Sequence, residues 1–204
     1  MKKLKAKTRL VAGVGINDVD QVTNFGKDEN GREIRDDLYM RWKGLLSRCY
    51  NPKVYAHKVN ARYEFCTVDE RWYKFSVFKE WMESHDNWQN LQLDKDLLVP
   101  GNTVYGPDTC CLLPKKINQI LVDQATHPRA LKGVVIRGHL IYAATRVSDG
   151  TVKYVKCTTE EEAHKIYKKS KFDRIMELSP MVEDVNTKNA LIDYARCKYG
   201  NEGS

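Results

Sequence analysis

The 204-residue sequence has no apolar run approaching the roughly 18 to 20 residues that span a bilayer. Its basic start, Met1 to Leu10, leads into no sustained apolar stretch of the kind a secretory signal needs. A soluble, unexported, cytoplasmic chain is expected. The six cysteines, Cys49, Cys66, Cys110, Cys111, Cys157 and Cys197, contain no C-x-x-C spacing. A zinc knuckle or redox pair is therefore not expected, and reduced thiols are the default. Convergence of Cys49, Cys66 and Cys110 on one ion stays open, because distant ligands can meet in space. There is no internal repeat and no low-complexity tract.

What is present is a basic excess. Thirty-four Lys and Arg against 27 Asp and Glu give a net charge of +7, which favours polyanionic partners through counterion release. A hydrophobic content of 42% is enough to build the core of one medium domain or two small ones.

Residues 1–34 open with Lys2, Lys3, Lys5, Lys7 and Arg9 and show no helical periodicity, which reads as a basic arm. A phosphate-contacting tail and a solvated terminus with a short strand at Leu10 to Val14 are both open readings. From Asp36 the residues Tyr39, Trp42, Leu45, Leu46 and Cys49 recur at helical steps until Asn51-Pro52, and a second helix is expected from Trp72 to Met82. The alternating segment Leu91 to Leu98 predicts a strand, with a second short one before Val104-Tyr105-Gly106-Pro107. Cys111 to Pro114 then leads into a helix carrying Ile117, Ile120 and Leu121, so that this stretch forms a ββα unit.

His127-Pro128 marks a joint. Beyond it three strands are expected, at Leu131 to Ile136, His139 to Val147 and Thr151 to Cys157, turning at Arg137-Gly138 and Ser148-Asp149-Gly150. Thr158 or Thr159, paired with Glu161 or Glu162, caps a helix running to about Leu178 whose stripe is Ala163, Ile166, Tyr167, Ser170 and Arg174. Pro180 stops it, and a last helix from Thr187 to about Tyr199 carries Leu191, Tyr194 and Ala195.

The run Leu93-Asp94-Lys95-Asp96, Gly101-Asn102, Tyr105, Pro107-Asp108, Cys110 and Asn118 resembles the HNH, or ββα-metal, family as it occurs in phage genomes. Trp42, Arg48-Cys49-Tyr50, Cys66, Trp72, Phe75 and Phe78 follow the same order upstream, so the resemblance covers about residues 10–125. It implies a homing-type DNA endonuclease in which a divalent ion stabilises charge on the scissile phosphate. Asp94 and Asn118 would be the metal ligands and Asn102 would brace the loop. Hard oxygen donors favour magnesium or manganese over zinc.

The family pattern places a histidine where this chain has Lys95, which is protonated at neutral pH unless its surroundings depress its pKa. Asp96, or His85 from the preceding loop, would have to substitute as base. On a regular strand Asp94 and Asp96 share one face and Lys95 takes the other. Asp94, Lys95 and Asp96 also read as a solvated strand end.

Residues 132–178 resemble the ethylene-response-factor, or AP-two, domain. Gly133-Val134-Val135 looks like its first strand and Glu160-Glu161-Glu162-Ala163 like its helix start, with Tyr142 and Arg146 standing where the family has tryptophan and arginine. That fold lays its sheet in the major groove of double-stranded DNA, which makes Arg137, Tyr142, Arg146, Lys153 and Lys156 candidate contacts. Ten Lys and Arg against five acids give residues 131–174 a net charge of +5, most of the excess of the whole chain.

The expected plan is thus α+β: a basic arm at 1–34, an HNH-like core at 35–126, an AP-two-like domain at 131–178, and a terminal helix and tail at 180–204. A DNA-binding phage regulator with a lost active site, and a phage protein that inhibits a host enzyme through its basic surface, are the alternatives to a nuclease.

Overall fold

The computed structural model describes residues 10–20, 23–51, 65–121, 131–147 and 150–200. Lys2, Lys3, Lys5, Lys7 and Arg9, the His127-Pro128 joint and the Ser148-Asp149 pair lie outside the described residues. With 45% of the described residues helical and 24% in strands, the fold is α+β. The chain separates into two units, 1–89 with 98–111 and 90–97 with 112–204.

In the first unit, β1 (Asn24–Lys27) and β2 (Glu33–Arg35) form an exposed antiparallel hairpin. Helix α1 (Asp37–Tyr50) begins where the Asp36 carboxylate accepts the Tyr39 N–H at 2.7 Å, satisfying an amide that the first turn leaves without a helical partner. Its apolar residues at steps of four, three and one bury Leu38, Trp42, Leu45 and Leu46. The Trp42 indole N–H donates to the Trp72 carbonyl at 2.7 Å, and its ring lies 5.3 Å from Phe75. Both tryptophans are fully enclosed.

The helix expected from Trp72 is interrupted. Trp72 sits in a 3₁₀ turn, Glu70–Tyr73, capped by Asp69, and α2 starts only at Phe75 and runs to Glu83. The intervening residues are extended because Ile16 bridges them: the Ile16 N–H donates to the Tyr73 carbonyl and the Phe75 N–H to the Ile16 carbonyl. Nor is Leu10 to Val14 a strand. Positive φ at Ala12 and Gly13 folds it into a tight turn, in which Val11 and Gly15 exchange both backbone bonds. Strand β3 (Thr67–Val68) closes this unit by pairing in parallel with β5 (Val104–Tyr105).

The second unit holds β4 (Leu91–Asp94), β6 (Cys111–Pro114) and α3 (Lys115–Leu121). A strand, strand, helix order is present with β6 as the partner of β4, while the short strand expected before Val104 is Val104–Tyr105 itself, paired with β3 in the first unit. The strand also ends four residues early, since the Asp94 side chain captures the next amides and bends the chain.

A three-stranded antiparallel sheet follows, β7 (Val134–Arg137), β8 (Leu140–Arg146) and β9 (Val152–Cys157), in that spatial order. Arg137 pairs with Leu140, so the first hairpin loop is Gly138-His139, and Gly138 takes the φ of +60° that a tight two-residue turn needs. Helix α4 (Glu160–Leu178) is capped by Thr159, whose Oγ1 accepts the Glu162 N–H, while the Glu162 carboxylate accepts from the Thr158 N–H and hydroxyl. It packs small residues on the sheet: Ala163 meets Val134, Ala143 and Cys157, with Ile141 and Ile166 at the margin. Helix α5 (Val185–Tyr199) packs on α4 with Leu191, Ala195 and Tyr199 buried.

Gly133 sets the spacing between sheet and helix. Its φ is +78°, and an added Cβ would stand 2.0 Å from the Tyr167 ring. Gly133→Ala is expected to lower stability by about 2 to 4 kcal/mol, combining left-handed strain with overpacking. Thr159→Ala should remove about 1 kcal/mol by uncapping α4. Urea unfolding followed by circular dichroism measures both, and a Gly133→Ala loss no larger than the cap loss would refute the close approach.

Candidate nucleic-acid interface

The register of the sheet decides which side chains share a face. Val134 opposes Ala143 and Ile141 opposes Cys157, and this side meets α4. Side chains alternate along a strand, so the other face carries Val135 and Arg137 of β7, Tyr142, Ala144 and Arg146 of β8, and Val152, Tyr154 and Lys156 of β9. Helix α4 does not cover this face.

Four of the five expected contacts therefore stand together: Arg137, Tyr142, Arg146 and Lys156. The fifth does not join them. Lys153 opposes Thr145 and lies on the helix side, exposed near the edge of the sheet.

Aromatic rings organise the open face. The Arg137 guanidinium lies 4.5 Å from the Tyr154 ring centroid and 5.8 Å from that of Tyr142, and the two rings meet edge to face at 6.5 Å. A planar cation held against two rings gives up less side-chain freedom on binding than one that swings freely. Arg146 Nη1 donates to the Gly150 carbonyl at 3.2 Å, which ties that side chain to the second hairpin. Tyr154, which completes the stack, is absent from the contacts expected from sequence. Its alternation with Lys156 was the available signal, and only the register with β8 selects that face.

The remaining candidates cluster at β4 and α3. Asp94 Oδ1 accepts the backbone N–H of Asp96 at 2.9 Å and of Leu97 at 2.8 Å. Asp96 and Lys95 lie in the bend, outside the strand, so the expected alternation of the three residues does not apply to them. Lys95 Nζ pairs with the Asp96 carboxylate, and the Lys95 side chain is only 11% exposed. Asn118 of α3 donates from Nδ2 to Gln92 Oε1 at 3.2 Å. Gln92, two residues before Asp94 on β4, was not singled out in the sequence. Asn102, in the first unit, donates to the Val104 carbonyl at 2.6 Å and accepts the Val104 N–H at 2.9 Å, bracing its own turn. His85 Nδ1 is hydrogen-bonded to the Trp81 carbonyl at 2.8 Å, one turn back in its own helical segment.

Burial raises the Asp94 pKa above its ordinary value of 3.8, against the lowering effect of the two backbone N–H bonds. Oδ1 is already engaged, and among the described residues no group of three or more His, Cys, Asp or Glu side chains is arranged to hold an ion. As placed, the described donors around Asp94 and Asn118 are not assembled into a magnesium or manganese site.

No protein-family model, no curated protein and no solved structure matches the chain. Among the described residues no helix is long and apolar enough to cross a membrane.

A raised folded pKa means that native Asp94 holds its proton more tightly than the unfolded chain does. The burial penalty is absent below pH 3.8, grows as pH rises from there to the native value, and is fully present above it. Asp94→Asn keeps the acceptor and removes the charge, so it should stabilise the protein at neutral pH and lose that advantage below pH 3.8. Asp94→Ala strands two amides and should destabilise by about 1 to 3 kcal/mol at either pH. Denaturant titrations at the two pH values check both outcomes, and a destabilising Asp94→Asn at neutral pH would contradict the buried carboxylate.

Proposed function

We propose that this chain binds double-stranded DNA through the open face of the β7–β8–β9 sheet. The supporting observation is the convergence of Arg137, Arg146 and Lys156 with the Tyr142 and Tyr154 rings on the face that α4 leaves uncovered. Like charges crowded on a small sheet repel one another, and a polyphosphate backbone relieves that repulsion while releasing counterions. A sheet of this size fits the major groove, where a guanidinium can reach base edges and an ammonium can reach phosphates.

Hydrolysis of the bound DNA is a second, separable proposal. It is favoured by the strand, strand, helix order of β4, β6 and α3, with Asp94 on the strand and Asn118 on the helix, and it is opposed by the engaged state of Asp94. Incubating long DNA with the protein and magnesium or manganese tests it. Products that vanish in Asp94→Ala support cleavage at this site, whereas intact DNA removes the nuclease reading and leaves binding in place.

Fluorescence polarisation with labelled duplexes tests binding itself. Arg137→Ala is expected to weaken affinity by about 1 to 3 kcal/mol. Lys156→Ala should weaken all sequences alike and reduce the slope of log affinity against log salt by about 1. Lys153→Ala, on the other face, should change affinity less than either. Absence of a polarisation change with any duplex in dilute buffer, or a Lys153 effect exceeding that of Arg137, would defeat the proposed face.

A further inference from the structure

A cleft of about 720 Å³ opens in the second unit between α3, α4 and the end of β8. That volume lies within the range of roughly 300 to 1,000 Å³ typical of small-molecule sites. Four cationic side chains line it, Lys116 of α3, Arg146 of β8, and Lys171 and Arg174 of α4. No aspartate or glutamate is found among its described lining residues. Ile120 and Leu178, also in the lining, are buried, whereas Lys116 and Arg146 are exposed. The lining thus combines buried apolar surface with two exposed charges.

The other two cations are held in position. Lys171 Nζ donates to the Ile120 carbonyl and lies 5.8 Å from the ring centroids of both Tyr167 and Tyr199. Arg174 pairs with Glu177 at 2.6 Å, with its side chain only 11% exposed. A concavity lined by one sign of charge over low-dielectric walls concentrates counter-ions of the opposite sign. Inorganic phosphate would use the cations alone. The apolar wall suits a ligand that carries a flat apolar group next to its anion, and the Tyr154 and Tyr167 rings add aromatic surface to the lining.

We propose that this cleft binds a nucleoside phosphate, with the phosphate between Lys116 and Arg146 and the base against Ile120, Ala144 and Leu178. Val135, Ala144, Arg146, Val152 and Tyr154 belong to both the cleft and the open sheet face, so this inference rests on the same surface as the proposed duplex interface and deepens that reading. The ligand has two possible sources, a free nucleotide or an unpaired nucleotide of a DNA strand.

Isothermal titration of the full chain with deoxyadenosine 5′-monophosphate, inorganic phosphate and deoxyadenosine tests the proposal. The nucleotide is expected to bind at least about tenfold tighter than either fragment, a difference of about 1.4 kcal/mol. Lys116→Glu should abolish that preference while leaving duplex affinity within about twofold, and Lys116→Arg should retain it. Ser170→Phe, which fills the cleft from the α4 side, should block the nucleotide as a second and independent variant. No heat with the nucleotide at millimolar concentration, equal binding of phosphate alone, or indifference to both Lys116→Glu and Ser170→Phe would overturn it.

Competition separates the sources. Displacement of the bound nucleotide by a duplex with a single-stranded overhang at lower concentration than by a blunt duplex assigns the site to a DNA strand, and equal displacement by the two, or none, assigns it to the free nucleotide. Duplex binding without nucleotide binding would defeat the cleft alone. Nucleotide binding without duplex binding would defeat the sheet interface alone.

Discussion

The contact between Gly133 and the Tyr167 ring governs the second unit, since an added Cβ at Gly133 would stand 2.0 Å from that ring. With the ring seated on bare backbone, α4 comes close enough for Ala163 to meet Val134 and Ala143. Side chains of that size allow only a narrow gap, and a narrow gap commits one whole face of the sheet to the helix. Strand alternation then assigns every second residue of all three strands to the opposite face. The grouping of Arg137, Tyr142, Arg146, Tyr154 and Lys156 is thus a consequence of how the helix docks. His164 strengthens the arrangement by bonding the Lys132 carbonyl at 2.8 Å, next to the glycine.

Cations have different roles on the two sides of this unit. On the open face Arg137 rests on tyrosine rings, an arrangement that keeps the guanidinium plane and its donors in place without an acidic partner among the described residues. Around the cleft, Lys171 and Arg174 are fixed by a carbonyl, by rings and by Glu177, while Lys116 and Arg146 stand toward solvent. On the solvent side of α4, Lys169 forms an i,i+4 pair with Asp173 at 2.7 Å, the ordinary arrangement of an exposed helix face. A net charge alone does not separate these cases. The partner each cation already has does.

Asp94 shows how one side chain can end a strand and define its own chemistry. By accepting two amides from the following bend it becomes mostly buried, and burial raises its pKa. The same bend places Lys95 against Asp96 instead of on a strand face. A carboxylate used in this way acts as a structural group at the strand end.

Much of the local structure was legible in the sequence because it rests on local interactions. The apolar steps of α1, the Asp36 cap, the Thr159 and Glu162 pair, the glycine at the first hairpin and the three strands with their helix all depend on residues within a few positions of one another. The charge excess of residues 131–174 was equally plain.

What required the tertiary structure was every choice made by a distant partner. Ile16 splits the expected helix at Lys74, β4 pairs with Cys111–Pro114, and β8 decides that Tyr154 and Lys156, and not Lys153, face away from α4. Alternation along one strand defines two faces but does not say which of them is buried. That is settled only when pairing with β8 fixes the register and α4 covers one of the two faces.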